Sequence, residues 1–575
     1  MASKSSISHL SSHQKTFVIC LLLVSLPLLF FTPSFKPQKT LLEEQNAEPA
    51  WFDVIVRDID HSTKIKVGLV NIDETLEGTL HGHLHKLYPQ VVGTVSVKFD
   101  HVDENLKWKD FFPEWIDEDH KWGHPKCPQM PMPILENYQD VNVVVARVPC
   151  GNNNNSNGTE GKRGIRDLFM LQVNLVVANL AVKSGWMKLE DGYYRKVYVV
   201  FIGNCGPMLE IFRCDDLLMH QGEYWVYKPE LGRLKQKTLM PPGSCQIAPP
   251  YAETGREIWR AYLSQLNILR RDSRPKLAYV TVLHSTEKYV CGAIALAQSI
   301  LQTSESVIQF YDYTRDLILL ADKSITPKSI KGLEAAGWKI KRIQRILNPF
   351  AQKGSYNEWN YSKLQIWKKL TNYDKVIFID SDFLVLKNMD EFFVYPQLSA
   401  APNDLIFFNS GLMVIEPSKC MFEDLMKKRL EVEPYRNKGD QGFLNEVFTW
   451  WHRLPWRLNG LKNFKEGGNN IEKEEGVYGI HYLGVKPWMC YRDYDCNWDK
   501  EEQHEFASDY AHERWWEVYE GMPKELQSYC GLTRKLEERL IEWRRRARNA
   551  SLSDGHWKIE IKDARRKLRN QYVAN

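Results

Sequence analysis

The sequence has no Cys-x-x-Cys pair, no internal repeat and no basic stripe interleaved with aromatic residues. The first absence argues against a structural zinc site. The second excludes a solenoid or a propeller. The third removes the electrostatic footprint of a nucleic-acid-binding protein, as does a net charge of only +4 over 575 residues. Long apolar runs are equally scarce. One exists, Phe17–Phe31, preceded by Lys4 and Lys15. No small-x-small cleavage site follows it, which sets it apart from a removed signal peptide. Extended to Phe35 it approaches the roughly 20 residues of a spanning helix. The expectation is a cytosolic tail over residues 1–16, an uncleaved signal-anchor over 17–35, and a lumenal remainder.

What the chain does contain reads as globular, with 43% hydrophobic and 26% charged residues. The length exceeds one ordinary core, so two domains are expected. The cysteines beyond Cys20 permit disulfides in an oxidising lumen, but spacing does not give their pairing. Sequons stand at Asn154, Asn157, Asn360 and Asn549. Residues 36–50 are polar and read as a stem. A first α/β region, of unassigned role, is expected over 51–255. Its strands are 64–70, 141–148 and 198–203, with a helix over 167–182. His81, His83 and His85 read there as a solvated loop. Residues 257–270 read as a helix, ending in the charged break Arg270–Pro275. From 275 to 525 strands and helices alternate: 277–283, 290–301, 317–320, 328–336, 361–370 and 376–379. That alternation predicts a mostly parallel sheet covered by helices. Residues 526–575 form a charged helical tail in which Arg544, Arg545 and Arg546 read as a solvated face.

The most informative segment is Val376-Ile377-Phe378-Ile379-Asp380-Ser381-Asp382. A buried strand ends there in two carboxylates, at the strand end where open α/β sheets bind ligands. Asp-x-Asp offers hard oxygen ligands to Mg²⁺ or Mn²⁺, and such an ion can stabilise charge building on a departing diphosphate. Alone, the pattern also arises as a capped loop.

Other segments supply matching chemistry. His481 adds an imidazole, which suits Mn²⁺ better than Ca²⁺. Lys363 and Lys486 are point charges suited to phosphate. Gly484 lets backbone N–H groups approach an anion closely. Taken in order, six segments resemble glycosyltransferase family 8, the glycogenin-like retaining transferases. They are Tyr279–Leu283 leading to Tyr289, Asn360–Leu364, Ile379–Asp382, Phe408–Gly411, Gly439–Gly442 and His481–Trp488. The resemblance implies a GT-A catalytic domain, Rossmann-like with a mostly parallel sheet, preceded by a smaller α/β domain. It implies Asp380, Asp382 and His481 as ligands of Mn²⁺, with Mg²⁺ the alternative. It implies Val282, Leu283 and Tyr289 at the uridine, and Lys363, Gly484 and Lys486 at the diphosphate. Ser381, Asn409, Ser410, Gly411, Asn437, Gly439, Asp440 and Gln441 belong to the donor site, with Lys363, Asp440 and Gln441 as the catalytic set.

Residues Ser355–Lys363 and Glu513–Trp516 through Tyr529-Cys530 resemble, more narrowly, the plant xylan glucuronosyltransferases. That implies transfer of α-glucuronic acid from UDP-glucuronate to O-2 of xylose in xylan, by a single-pass type II protein of the Golgi membrane. Homo- or hetero-oligomers remain open. The rival readings are glucosyl transfer from UDP-glucose, as in glycogenin-like priming, and a non-catalytic scaffold of a polysaccharide-synthesis complex. Two positions depart from the pattern. Ser381 stands where the family often has Ala, and Asn437 where glycogenin-type members carry Asp.

Overall fold

The computed structural model describes residues 50–59, 64–150, 165–185, 195–248, 275–304, 315–403, 408–434, 438–464, 471–472 and 476–566. The expected anchor and stem, the sequons at Asn154 and Asn157, the helix over 257–270 and the site residue Asn437 lie outside the described residues. Residues 58–575 form one compact unit. Of the unit over residues 1–57, the described part is the helix Ala50–Val56.

Two large sheets organise the compact unit. The first has the order β2-β1-β3-β4-β6-β5. Its strands are β1 (Ile65–Val70), β2 (Val91–Val97), β3 (Val143–Arg147), β4 (Tyr198–Ile202), β5 (Leu217–Gln221) and β6 (Tyr224–Tyr227). The first four in that order run parallel, and β6 and β5 join antiparallel. Residues 143–146 of β3 and all of β4 are continuous apolar runs because both their faces are buried. The helix Leu168–Gly185 is apolar nearly all round for the same reason. It is long and apolar enough to cross a membrane, yet most of it is buried in the protein core. One expectation fails here. His81, His83 and His85 lie on a helix, Glu74–Leu87, not in a loop. Asp73 caps it by accepting from the Leu76 N–H.

The second sheet has the order β14-β12-β13-β10-β7-β8-β9. Its strands are β7 (Leu277–Leu283), β8 (Arg315–Ala321), β9 (Lys339–Arg342), β10 (Lys375–Ile379), β12 (Ser399–Pro402), β13 (Phe408–Ile415) and β14 (His452–Arg453). β10, β7, β8 and β9 run parallel, and β13 runs against β10. A third, small sheet, β11-β16-β15, begins directly after Asp382. It comprises β11 (Phe383–Val385), β15 (Gly460–Leu461) and β16 (Gly479–His481). The architecture is thus mixed α/β with largely parallel sheets.

One hydrophobic core includes Val144 and Phe201 from the first sheet and Val280 and Phe378 from the second. The disulfide Cys214–Cys420 and the buried pair Arg213–Glu416, at 2.8 Å, tie the same regions together. Four more disulfides join Cys127 to Cys245, Cys150 to Cys205, Cys291 to Cys530 and Cys490 to Cys496. The tail is more integrated than its charge suggests. Arg565 is buried and donates to the carbonyls of Trp488, Cys490 and Cys530. Arg544 donates to the Trp557 and Ile559 carbonyls, so it is not the solvated residue expected. Arg545 and Arg546 do lie on the surface, paired with Glu542.

Candidate active site

β10 reaches the cleft as Lys-Val-Ile-Phe-Ile, all buried, and then delivers Asp380 and Asp382. The turn is held by backbone bonds: Asp380 N–H donates to Gly411 O at 2.8 Å, and Tyr482 N–H to Asp382 O at 2.9 Å. β11 then pairs antiparallel with β16, which sets His481 opposite Phe383. Residues a hundred positions apart are thereby brought to one point. Ligand atoms of Asp380, Asp382 and His481 lie within 4.8 Å of one another. The His481 ring needs the space left by Gly411, where an added Cβ would stand 2.4 Å from the His481 Cε1. Its Nδ1 lies 3.2 Å from Asn459 Oδ1, leaving Nε2, 3.4 Å from Asp382 Oδ1, on the carboxylate side. Two carboxylates and an imidazole, oriented from behind by an amide, form a donor set that fits a divalent cation.

Electrostatics separates the two carboxylates. Burial raises the Asp380 carboxyl above its usual range, against the pull of Lys363. Burial acts on Asp382 as well, but Lys486 and His481 outweigh it and hold that carboxyl well below the usual range. Lys486 Nζ lies 2.9 Å from Asp382 Oδ2. Burial works against both lysines, yet the neighbouring aspartates hold both ammonium groups charged, with raised pKa values.

Lys363 is the hub of the second half of the site. Its Nζ lies 2.5 Å from Asp440 Oδ2 and 3.4 Å from Asp380 Oδ1, and donates to Ser410 O at 3.0 Å. The segment Asn360–Leu364 that carries it is a 3₁₀ turn running into the helix Gln365–Lys369, where one longer helix was expected. Asp440 opens the helix Asp440–Val447 after Gly439. It accepts from Ser410 Oγ at 2.9 Å and from Asn360 Nδ2 at 2.8 Å. Gln441 Oε1 accepts from the Ser410 N–H at 3.1 Å. Asn409 Oδ1 accepts from the Gly411 N–H at 2.8 Å.

At the other rim, Gly484 adopts φ +70°, and a Cβ there would stand 2.5 Å from Asn497 Oδ1. Asn497 in turn accepts from the Val485 N–H at 2.8 Å. Tyr289 packs edge-to-face on Trp488 at 6.1 Å, and burial, then Asp382, raises its phenol pKa. Val282 and Leu283 stand at the end of β7, where Leu283 O accepts from the Asp322 N–H.

Sequence reasoning missed two contributors to this geometry, Asn459 and Asn497, which belong to no pattern. Asn360 was noted only as a sequon and as part of the lysine segment. Its amide nitrogen is spent on Asp440, so a glycan there would break that contact.

A mostly parallel α/β sheet with this carboxylate–imidazole–lysine edge defines a class, the glycosyltransferases. Residues 280–397 match glycosyl transferase family 8, and residues 42–245 match the GUX1-5 N-terminal domain. In Arabidopsis thaliana, UDP-glucuronate:xylan alpha-glucuronosyltransferase 2 is 48% identical over 515 residues, covering 88% of this chain and 81% of that one. UDP-glucuronate:xylan alpha-glucuronosyltransferase 1 is 43% identical, covering 82% of this chain and 68% of its own. A further Arabidopsis protein, number 4 of the series and provisionally so named, is 50% identical over 574 residues, 97% of this chain and 98% of that one. The chain belongs to this family of glucuronosyltransferases within glycosyl transferase family 8. A solved galactosyltransferase aligns to 44% of this chain at 16% identity and TM-score 0.32, too slight a likeness to argue from.

Proposed function

We propose that this chain moves α-glucuronic acid from UDP-glucuronate to O-2 of xylose units in xylan, with retention, from a GT-A catalytic unit held at the Golgi membrane by an N-terminal helix. The observation that carries the reading is the convergence of Asp380, Asp382 and His481 within 4.8 Å, in a chain this similar to glucuronosyltransferases. Those three residues would hold Mn²⁺, or Mg²⁺, which when bound supplies Lewis-acid stabilisation of charge developing on the leaving diphosphate.

The chain's own groups do the rest. Lys486 and Lys363 are held charged beside the carboxylates and offset the charge of the leaving UDP. Asn360 Oδ1 is buried without a hydrogen-bond partner among the described residues, an acceptor suited to a donor-sugar hydroxyl. Asp440 is engaged at both oxygens, by Asn360 on one and by Ser410 and Lys363 on the other. A carboxylate so held is a weak nucleophile. The geometry favours attack by the acceptor hydroxyl from the leaving-group face, its proton passing to the departing phosphate oxygen. Gln441 and Ser410 then orient the sugar.

The test is product structure. Purified full-length protein, incubated with UDP-glucuronate, xylo-oligosaccharide and Mn²⁺, yields an α-linked glucuronosyl group on O-2 by NMR, and chelation stops the reaction. A β-linkage, or turnover indifferent to chelation, contradicts the reading.

A further inference from the structure

A glucuronosyl donor carries one carboxylate more than a glucosyl donor. Sequestered in a cleft without a cation, that group is strongly disfavoured. Lys363, paired with Asp440 and Asp380, and Lys486, paired with Asp382, are already assigned to the leaving UDP. Burial holds the His284 imidazole below its ordinary pKa, so it stays neutral near pH 7.

Among the described residues, the guanidinium that borders these groups is that of Arg345. Arg345 lies between two residues bonded to the lysine-bearing segment: Ile346 N–H donates to Ser362 Oγ, and Gln365 Nε2 to Gln344 O, each at 3.0 Å. Its Nε pairs with Asp322 Oδ2 at 3.0 Å, just beyond the end of β8. Its Nη1 donates to Ser285 Oγ at 3.4 Å, in the turn after β7. Its Cζ lies over the Trp359 ring, 4.4 Å from the centroid. Trp359 immediately precedes Asn360, which bonds Asp440. The His284 Nδ1 lies 2.9 Å from Ser285 Oγ, the same oxygen that accepts from Arg345 Nη1.

Asp322 is nearly inaccessible, 1% exposed, whereas Arg345 keeps 28% of its side chain exposed. The Arg345 Nη2 has no hydrogen-bond partner among the described residues. Asp322 and Ser285 thus engage two of the guanidinium nitrogens, Trp359 packs against the group, and Nη2 is left open. A planar fork with an open end matches a carboxylate better than a lysine would.

We propose that Arg345 binds the 6-carboxylate of the donor sugar and selects a uronic acid over the neutral hexose. The proposal rests on the UDP-glucuronate reading above. It is tested by kcat/KM of Arg345→Gln for UDP-glucuronate and for UDP-glucose, together with inhibition by UDP. The expected result is a loss of about 30-fold or more for UDP-glucuronate, chiefly in KM. UDP-glucose turnover and UDP inhibition stay unchanged. Arg345→Lys keeps the charge without the fork and shifts the donor ratio the same way by less. It also serves if the Gln variant does not fold. Equal losses with both donors, or weakened UDP inhibition, would instead assign Arg345 to the diphosphate or to structure and overturn the proposal. A wild-type protein that favours UDP-glucuronate, with the same preference in both variants, overturns it alone. A wild-type protein that favours UDP-glucose overturns both it and the functional reading.

Discussion

Asp382 lies 2.9 Å from the Lys486 ammonium and 3.4 Å from the His481 ring, and is held ionised despite its burial. Asp382→Asn removes a carboxylate charge and leaves Lys486 without that partner. The expected outcome is loss of transfer by about 100-fold or more and loss of Mn²⁺ binding by spectroscopic titration; unchanged turnover would remove Asp382 from the metal set. Gly411→Ala tests the same centre from behind, since its methyl group would displace the His481 ring. Mn²⁺ affinity should fall about 10-fold or more with the fold intact, as read by titration and thermal melting. At this scale the sequence was legible where chemistry follows a motif. Asp380, Asp382, His481, Lys363 and Lys486 all converge. Asn459, Asn497 and Arg345 were not legible, because a lone amide or guanidinium carries no pattern until the fold brings it beside a ligand.

Elements show the same division. Strands with both faces largely buried are mostly apolar, so β7, interrupted by Thr281, and β10, apolar after Lys375, could be read directly. The histidine helix could not be read so easily, because its apolar face is thin: only Leu80 and Leu84 are buried, among glycines, histidines and charged residues. The 3₁₀ start of the Lys363 segment is set by tertiary contacts, among them Ile346 N–H to Ser362 Oγ. Between elements, the loop around Glu118 clamps residues 453–457. Glu118 Oε2 accepts from the Trp456 N–H at 2.7 Å, and Oε1 lies 3.9 Å from Arg453 Nη1. Burial pushes the Glu118 carboxyl up to about 7 from 4.5. A raised folded-state pKa means that the folded protein binds this proton more tightly than the unfolded chain does. The associated stability is therefore full below pH 4.5 and is lost as pH rises through 7. Glu118→Gln removes that dependence. Chemical denaturation should give similar stability for both proteins near pH 4.5, with the variant more stable above pH 7 by about 3 kcal/mol. A difference that does not change with pH would contradict this reading.

Across the whole molecule, the two sheets share one core and the Cys214–Cys420 bridge, which spans 206 residues of sequence. A chain cut to residues 275–566 would expose the Val280–Phe378 side of that core. It should fail to unfold cooperatively on heating, while the Cys214→Ser/Cys420→Ser double variant should fold but lose about 2–5 kcal/mol. A sharp, wild-type-like melt of the fragment would contradict the shared core. Alternating strands and helices made both α/β regions legible in the sequence. Their joining through Arg213, Glu416 and a disulfide was not, because long-range pairing leaves no local trace.

The central claim is a uronic acid donor. The most direct measurement offers the full-length protein equal UDP-glucuronate and UDP-glucose with xylo-oligosaccharide and Mn²⁺, and reads the product by mass spectrometry. Acceptors heavier by one hexuronate are the expected product. A product heavier by a hexose, or no product, would contradict it.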